Sequence, residues 1–224
     1  MMRTGPRQLA LALDHPESFA REDFLSGPSN AAALALIDTW PAWPHPTVML
    51  IGPAGSGKSH LAAIWAEMAG ARLISSHALE QATVPAALAT GALVVEDIVA
   101  GALDERALFH LLNLAREDGA FVLLTARSPP ATFAIRDLAS RVMALPVVAM
   151  TPPDDALLRA VLVKLFDDRQ LAVDETVIGY VALRIERSFA AAQAVVARLD
   201  DEAMRHKRPL TRAFAAEILR AGEA

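Results

Sequence analysis

An α/β fold with a mostly parallel sheet, followed by a small all-helical unit, is the fold class this sequence predicts, and three observations predict it. Short apolar runs alternate with helix-spaced stripes between residues 48 and 150; a glycine-rich loop, Gly52 to Ser59, joins the first run to a long helical stripe; and after Pro152 and Pro153 only helical stripes remain. Strands that alternate with helices are joined by crossovers, which makes the sheet parallel and covers both of its faces.

Taken in order, residues 1–28 carry Gly5, Pro6, Pro16, Gly27 and Pro28 with little periodicity and read as an extended arm. An apolar helix from Ala31 to Ile37 must stop at the cluster of Pro41, Pro44 and Pro46. Strands are expected at Val48–Ile51, Arg72–Ser75, Leu93–Val95, Phe121–Leu124 and Pro146–Met150. Between them, Leu61, Ile64, Trp65 and Met68 mark one helix, and Leu103, Ala107, Leu108, Leu111, Leu112 and Ala115 mark another. The later stripes place helices at Asp154–Asp168, Asp174–Glu186, Ser188–Arg205 and Thr211–Arg220. The expected organisation is therefore an arm over 1–28, a nucleotide-binding α/β domain over 29–151 and a helical lid over 152–224.

Composition narrows the function. With 54% hydrophobic and 21% charged residues the chain is set to fold. It has no apolar run long enough to span a bilayer and no signal-peptide core behind Arg3 and Arg7. The absence of Cys removes disulfides, thiolate nucleophiles and Cys-ligated metals, so the expectation is a cytoplasmic protein without a membrane partner. A net charge of -5, with neither half strongly basic, argues against direct sequence-specific DNA binding.

Residues Gly52, Pro53, Ala54, Gly55, Ser56, Gly57, Lys58 and Ser59 match G-x-x-x-x-G-K-[ST] in full. The glycines let successive backbone N–H groups converge on a polyphosphate, and the following helix adds the positive potential of its N-terminus. Lys58 is placed to reach the terminal phosphates of ADP or ATP and Ser59 to hold Mg²⁺. Such a site needs an acid-tipped second strand, and Leu93, Val94, Val95, Glu96, Asp97 fits: Glu96 toward the metal and Asp97 toward the attacking water. The usual order puts Asp before Glu, so this pair is swapped. Two merely exposed acids at a strand end are the alternative.

A helical lid after such a core resembles the AAA+ family, and within it the Hda family of short relatives of the replication initiator DnaA. The residues that carry the resemblance are Phe24 to Asn30, the phosphate loop, Glu96 and Asp97, Leu123 to Thr125, and Asp137, Leu138, Ala139, Ser140 and Arg141. It implies an arginine finger at Arg141 that acts in trans on the neighbour's nucleotide, where its guanidinium fork stabilises charge on the transferring phosphoryl group. An ordinary surface ion pair is the alternative for Arg141. Three departures put the chain's own hydrolysis in doubt: the swapped acids, Arg127 where DnaA carries an acid, and Ala190 where the lid arginine stands, with Arg187 three residues away.

In the arm, Gln8, Leu9, Ala10, Leu11, Ala12, Leu13 matches the Q-L-x-L-x-L pattern of peptides that dock on the bacterial sliding clamp. Gln8, Leu9, Leu11 and Leu13 would make the contacts, the leucines on one side of an extended strand; a first strand on the sheet edge is the alternative. The six His are scattered without metal-ligand spacing. The basic run Arg205, His206, Lys207 and Arg208 suits either DNA phosphates or a helix C-terminus, and the second is favoured.

Together these readings predict a negative regulator of replication initiation, held on the clamp (the polymerase β subunit), that stimulates hydrolysis of DnaA-bound ATP. A stand-alone AAA+ ATPase or helicase loader, working as a homo-oligomer, and a pure clamp adaptor are the other readings.

Overall fold

The computed structural model describes residues 20–130 and 132–221. Five strands, β1 (Thr47–Ile51), β2 (Arg72–Ser75), β3 (Ala92–Glu96), β4 (Phe121–Ala126) and β5 (Val147–Ala149), form one sheet in the order β2-β3-β4-β1-β5. Every pairing is parallel, with Leu50 opposite Thr125 and Val95 opposite Leu124. The two-residue period of β1 sends Val48 and Leu50 to one face and Met49 to the other, and both faces are buried.

On the first face, α1 (Ala31–Asp38) and α2 (Lys58–Ala69) cover Val48, Leu50, Val94 and Leu123. Trp43 stacks on Trp65 at 4.8 Å between ring centroids, and Trp40 meets Trp65 and Phe121 edge-on. These aromatic rings seal the N-terminal end of that layer. Phe24 is buried in the same cluster, and Arg21 pairs with Asp38 at 2.9 Å, so the stretch just before α1 packs on the core.

On the second face lie α3 (Val84–Ala87), α4 (Glu105–Asp118) and α5 (Arg136–Met143). Asp104 caps α4 by accepting from the backbone N–H of Arg106 and Ala107, and Gly119 ends it in the left-handed region. The β2 to β3 connection holds two 3-10 turns and α3, elements too short to carry a periodic signal.

The remaining helices, α6 (Asp155–Asp168), α7 (Glu175–Ala182), α8 (Phe189–His206) and α9 (Arg212–Ala221), build a separate core around Leu158, Leu162, Phe166, Val181, Leu199 and Phe214. Asp154, Asp174 and Ser188 cap α6, α7 and α8 with their side-chain oxygens. The second of these helices stops at Ala182 instead of running to Glu186, because the chain must turn before Ser188 becomes extended and caps the next one.

The helical unit rests on the α/β unit at three places. The Phe189 N–H donates to the Gly55 carbonyl at 2.8 Å; Lys164 pairs with Asp23 at 2.7 Å; and a Cβ on Gly27 would stand 2.9 Å from Leu157 Cδ2. Among the described residues, no helix is long and apolar enough to cross a membrane.

Candidate nucleotide site

Strand order decides what meets at the C-terminal edge of the sheet. The glycine-rich loop leaves β1, the acids leave β3, and β4 lies between them, so Thr125 at its end stands between loop and acids. A crevice outside the carboxyl ends of such strands is where open α/β sheets bind ligands.

The loop is wrapped by conformations that favour glycine. Gly55 has φ +69° and Gly57 φ +93°, immediately before α2. Gly52 has no room for a side chain: a Cβ there would meet the Met150 carbonyl at 2.7 Å and Ser56 Oγ at 2.9 Å. Lys58, on the first turn of α2, folds back so that its Nζ donates to the carbonyls of Gly52 at 2.7 Å and Pro53 at 2.8 Å. Ala54 and Pro53 are exposed and Ser59 is exposed at the start of α2.

Burial pushes the Lys58 ammonium below the ordinary lysine range; Asp97 pulls it back, Arg127 depresses it further and Glu96 raises it. Asp97, Arg127 and Glu96 therefore all act on Lys58 through their charges. Arg127 thus sets a second positive charge near the group that would touch a terminal phosphate.

The acids are held differently. Asp97 sits at φ +55°, where its N–H donates to Thr125 Oγ1 at 3.1 Å and its carbonyl accepts from Ser76 Oγ at 2.6 Å. Glu96 Oε1 is buried and has no hydrogen-bond partner, and neither has Ser56 Oγ in the loop. A buried carboxylate oxygen and a buried hydroxyl left unmatched beside a desolvated ammonium fit a nucleotide with its Mg²⁺. Among the described residues no three His, Asp or Glu side chains gather as a metal site. Ser59 and Glu96 alone are too few for an octahedral cation, so phosphate oxygens and water would have to complete the shell.

The helical unit closes over the loop without an arginine. Ser188, buried, and Ala190 are the groups that a Cβ on Gly55 would meet, at 2.8 Å and 3.2 Å, and the Phe189 ring lies against Gly57. Arg187 turns instead to Asp155, at 2.8 Å.

Arg141 lies apart from this cluster on α5. Leu138 and Val142 are buried beneath that helix, Arg141 is partly exposed, and its guanidinium carbon stands 5.1 Å from the centroid of the Phe109 ring on α4. Among the described residues no carboxylate pairs with it. The cations at and just beyond the C-terminal end of α8 are largely engaged: Arg205 and His206 with Glu202, and Arg208 with Glu217 and the Phe214 ring. The residues Gln8, Leu9, Leu11 and Leu13 lie outside the described residues.

Sequence reading did not single out Ser76, Ser188 or Phe109. Ser188 carried a signal, being an N-cap residue directly before a helical stripe; Ser76 and Phe109 carried none, because their contacts join segments far apart in the chain.

No family model matches the chain. It is 26% identical to the chromosomal replication initiator protein DnaA of Thermomicrobium roseum across 91% of this chain, and it spans about half (50%) of that relative's length. Among solved structures, domain III of the Thermotoga maritima replication initiation protein DnaA superposes with a TM-score of 0.74 at 18% identity, covering 91% of this chain and 96% of that one. A DnaA bound to AMPPCP and single-stranded DNA gives 0.65 at 18% identity, over 84% and 68%. Thermotoga maritima RuvB gives 0.72 at 17%, over 91% and 72%. The fold is thus the AAA+ fold of DnaA domain III: a phosphate-loop core with a parallel sheet, then an all-α lid.

Proposed function

We propose that this chain is a nucleotide-bound regulator of replication initiation, similar to the Hda family, which binds ADP or ATP with Mg²⁺ and stimulates hydrolysis of ATP held by DnaA. The observation that carries the reading is the placement of arginines. The loop's own lid offers Ala190 where an arginine would reach the nucleotide and ties Arg187 to Asp155, while Arg141 is presented on α5 without a carboxylate partner among the described residues.

In this reading the loop, Lys58 and Ser56 would bind the phosphates, while Ser59 and Glu96 would hold Mg²⁺, which would supply charge neutralisation. Asp97, its backbone pinned by Thr125 and Ser76, would orient the attacking water. Bound nucleotide would bridge the loop to the lid and set the shape of the face offered to DnaA. The relatives support DnaA-like chemistry: the chain resembles DnaA over most of its own length, and one DnaA of this fold binds AMPPCP. Gln8, Leu9, Leu11 and Leu13 would tether the chain to the sliding clamp, and so to DNA that its acidic surface does not attract; cytoplasmic location follows from that role.

The test is clamp capture followed by a DnaA ATPase assay, with wild type, Gln8→Ala and Arg141→Ala side by side. Gln8→Ala should lose capture. Arg141→Ala should keep capture and lose stimulation by a factor on the order of 10³, the lower range for an arginine finger. Unchanged stimulation with Arg141→Ala overturns the mechanism, and turnover by the chain alone that Lys58→Ala abolishes would favour a stand-alone ATPase.

A further inference from the structure

Two residues on one face of α4 hold α5 in place from both ends. Glu105 spends both carboxylate oxygens on backbone N–H groups at the start of α5: Oε1 accepts from Ala134 at 3.0 Å and Oε2 from Ile135 at 2.9 Å. Ile135 is the N-cap of α5 and has no side-chain oxygen of its own, so the cap comes from another helix, with negative charge at the positive end of the dipole. One turn further along α4, four residues on and hence on the same face, Phe109 lies half-buried with the Arg141 guanidinium over its ring at 5.1 Å.

We propose that Phe109 and Glu105 are positioning residues for Arg141: Glu105 anchors the first turn of α5, and the Phe109 ring is a shelf that fixes the guanidinium at the surface. The observed contact is the guanidinium over the ring, and its role rests on the reading of Arg141 as a residue that acts on a partner's nucleotide. An acid partner would quench the charge that such a residue must deliver. An aromatic face instead limits the side chain's rotamers while leaving all five N–H donors free. The shelf therefore reduces the entropy lost when the fork engages a phosphoryl group, an effect on the rate at saturation and not on docking.

The experiment uses the full chain and two readouts. In the free protein, with arginine side chains labelled with ¹⁵N, the Arg141 Hε and Hδ signals should be shifted upfield by the ring current. Phe109→Leu should remove the shift and Phe109→Tyr should keep it. In the DnaA ATPase assay, Phe109→Leu should lower the saturated rate about two- to five-fold, the equivalent of about 0.5–1 kcal/mol at 1.4 kcal/mol per tenfold. The half-saturating concentration should not change, Phe109→Tyr should restore the rate, and Phe109→Leu in an Arg141→Ala background should have no further effect. Backbone exchange at Ala134 and Ile135 should speed up in Glu105→Ala. An Arg141 signal unmoved by Phe109→Leu, or a rate loss that persists without Arg141, overturns the shelf. If Arg141→Ala leaves stimulation unchanged, the trans reading fails, while the ring-current shift still decides whether Phe109 holds the side chain.

Discussion

Substituting Gly55 with Ala tests the contact between the phosphate loop and the helical lid. Gly55 has φ +69°, and its new Cβ would stand 2.8 Å from Ser188 Cβ, 3.0 Å from Ser188 Oγ and 3.2 Å from Ala190 Cβ. Two costs add. Placing an L-residue in the left-handed region costs about 1–2 kcal/mol. Forcing a methyl into packed neighbours costs about 1–3 kcal/mol more. Gly70 and Gly119 have φ +62° and +68° with nothing within 4 Å of an added Cβ, so Gly70→Ala and Gly119→Ala isolate the first cost. Guanidinium unfolding should therefore show Gly55→Ala less stable than either control by about 1–3 kcal/mol. Trp40, Trp43 and Trp65 report on the α/β unit by fluorescence, and backbone hydrogen exchange along α6 to α9 reports on the lid. Equal losses in the three variants would refute the contact between Gly55 and Ser188. A loss confined to the lid signal would show that the strain is released by lifting α8 off the loop.

Two further outcomes concern the nucleotide site and a third the helical unit. Lys58→Met should abolish binding of a fluorescent nucleotide while leaving the unfolding midpoint close to wild type, since it replaces a buried ammonium by an apolar chain of similar length. Because burial depresses the Lys58 pKa, nucleotide affinity in the wild type should fall as pH rises through that lowered value, below the ~10.4 of an ordinary lysine. Titration calorimetry across alkaline pH would show it. The Asp174 carboxyl is held below its usual range by the Thr176 hydroxyl and then by the Val177 N–H, so its contribution to stability is present above the unfolded value of about 3.9 and is lost as pH falls through the lower folded value. Asp174→Ala should accordingly be less stable than wild type at neutral pH, with the gap closing in acid denaturation.

The sheet and the loop were legible because both depend on local pattern. The runs at Val48–Ile51 and Phe121–Leu124 are apolar throughout, as strands buried on both faces must be, and the glycine spacing of the loop is dictated by the backbone that wraps a phosphate. The links between segments were not legible. Glu105 reaches the start of α5 across about thirty residues, Asp97 is pinned by Thr125 from the neighbouring strand, and the lid meets Gly55 through Phe189 and Ser188. None of these leaves a periodicity, because each is set by where the sheet order brings two chain segments together. Arg141 is an intermediate case: the spacing of Leu138 and Val142 places it away from the buried face, yet nothing in that spacing identifies the ring it rests on.

The swapped acids have a local physical reason. Position 97 lies at φ +55°, a region that Asp and Asn tolerate better than longer side chains, and its N–H and carbonyl are both committed, to Thr125 and Ser76. With that turn in place the shorter acid suits the second position, which leaves the first to Glu96, one methylene longer and with Oε1 buried and unmatched. Reversing the order would put Glu at position 97, where it must bear the left-handed backbone. Asp97→Asn should retain stability, whereas Asp97→Glu should lose about 1 kcal/mol in guanidinium unfolding. Equal stability of the two would remove the backbone as the cause of the order.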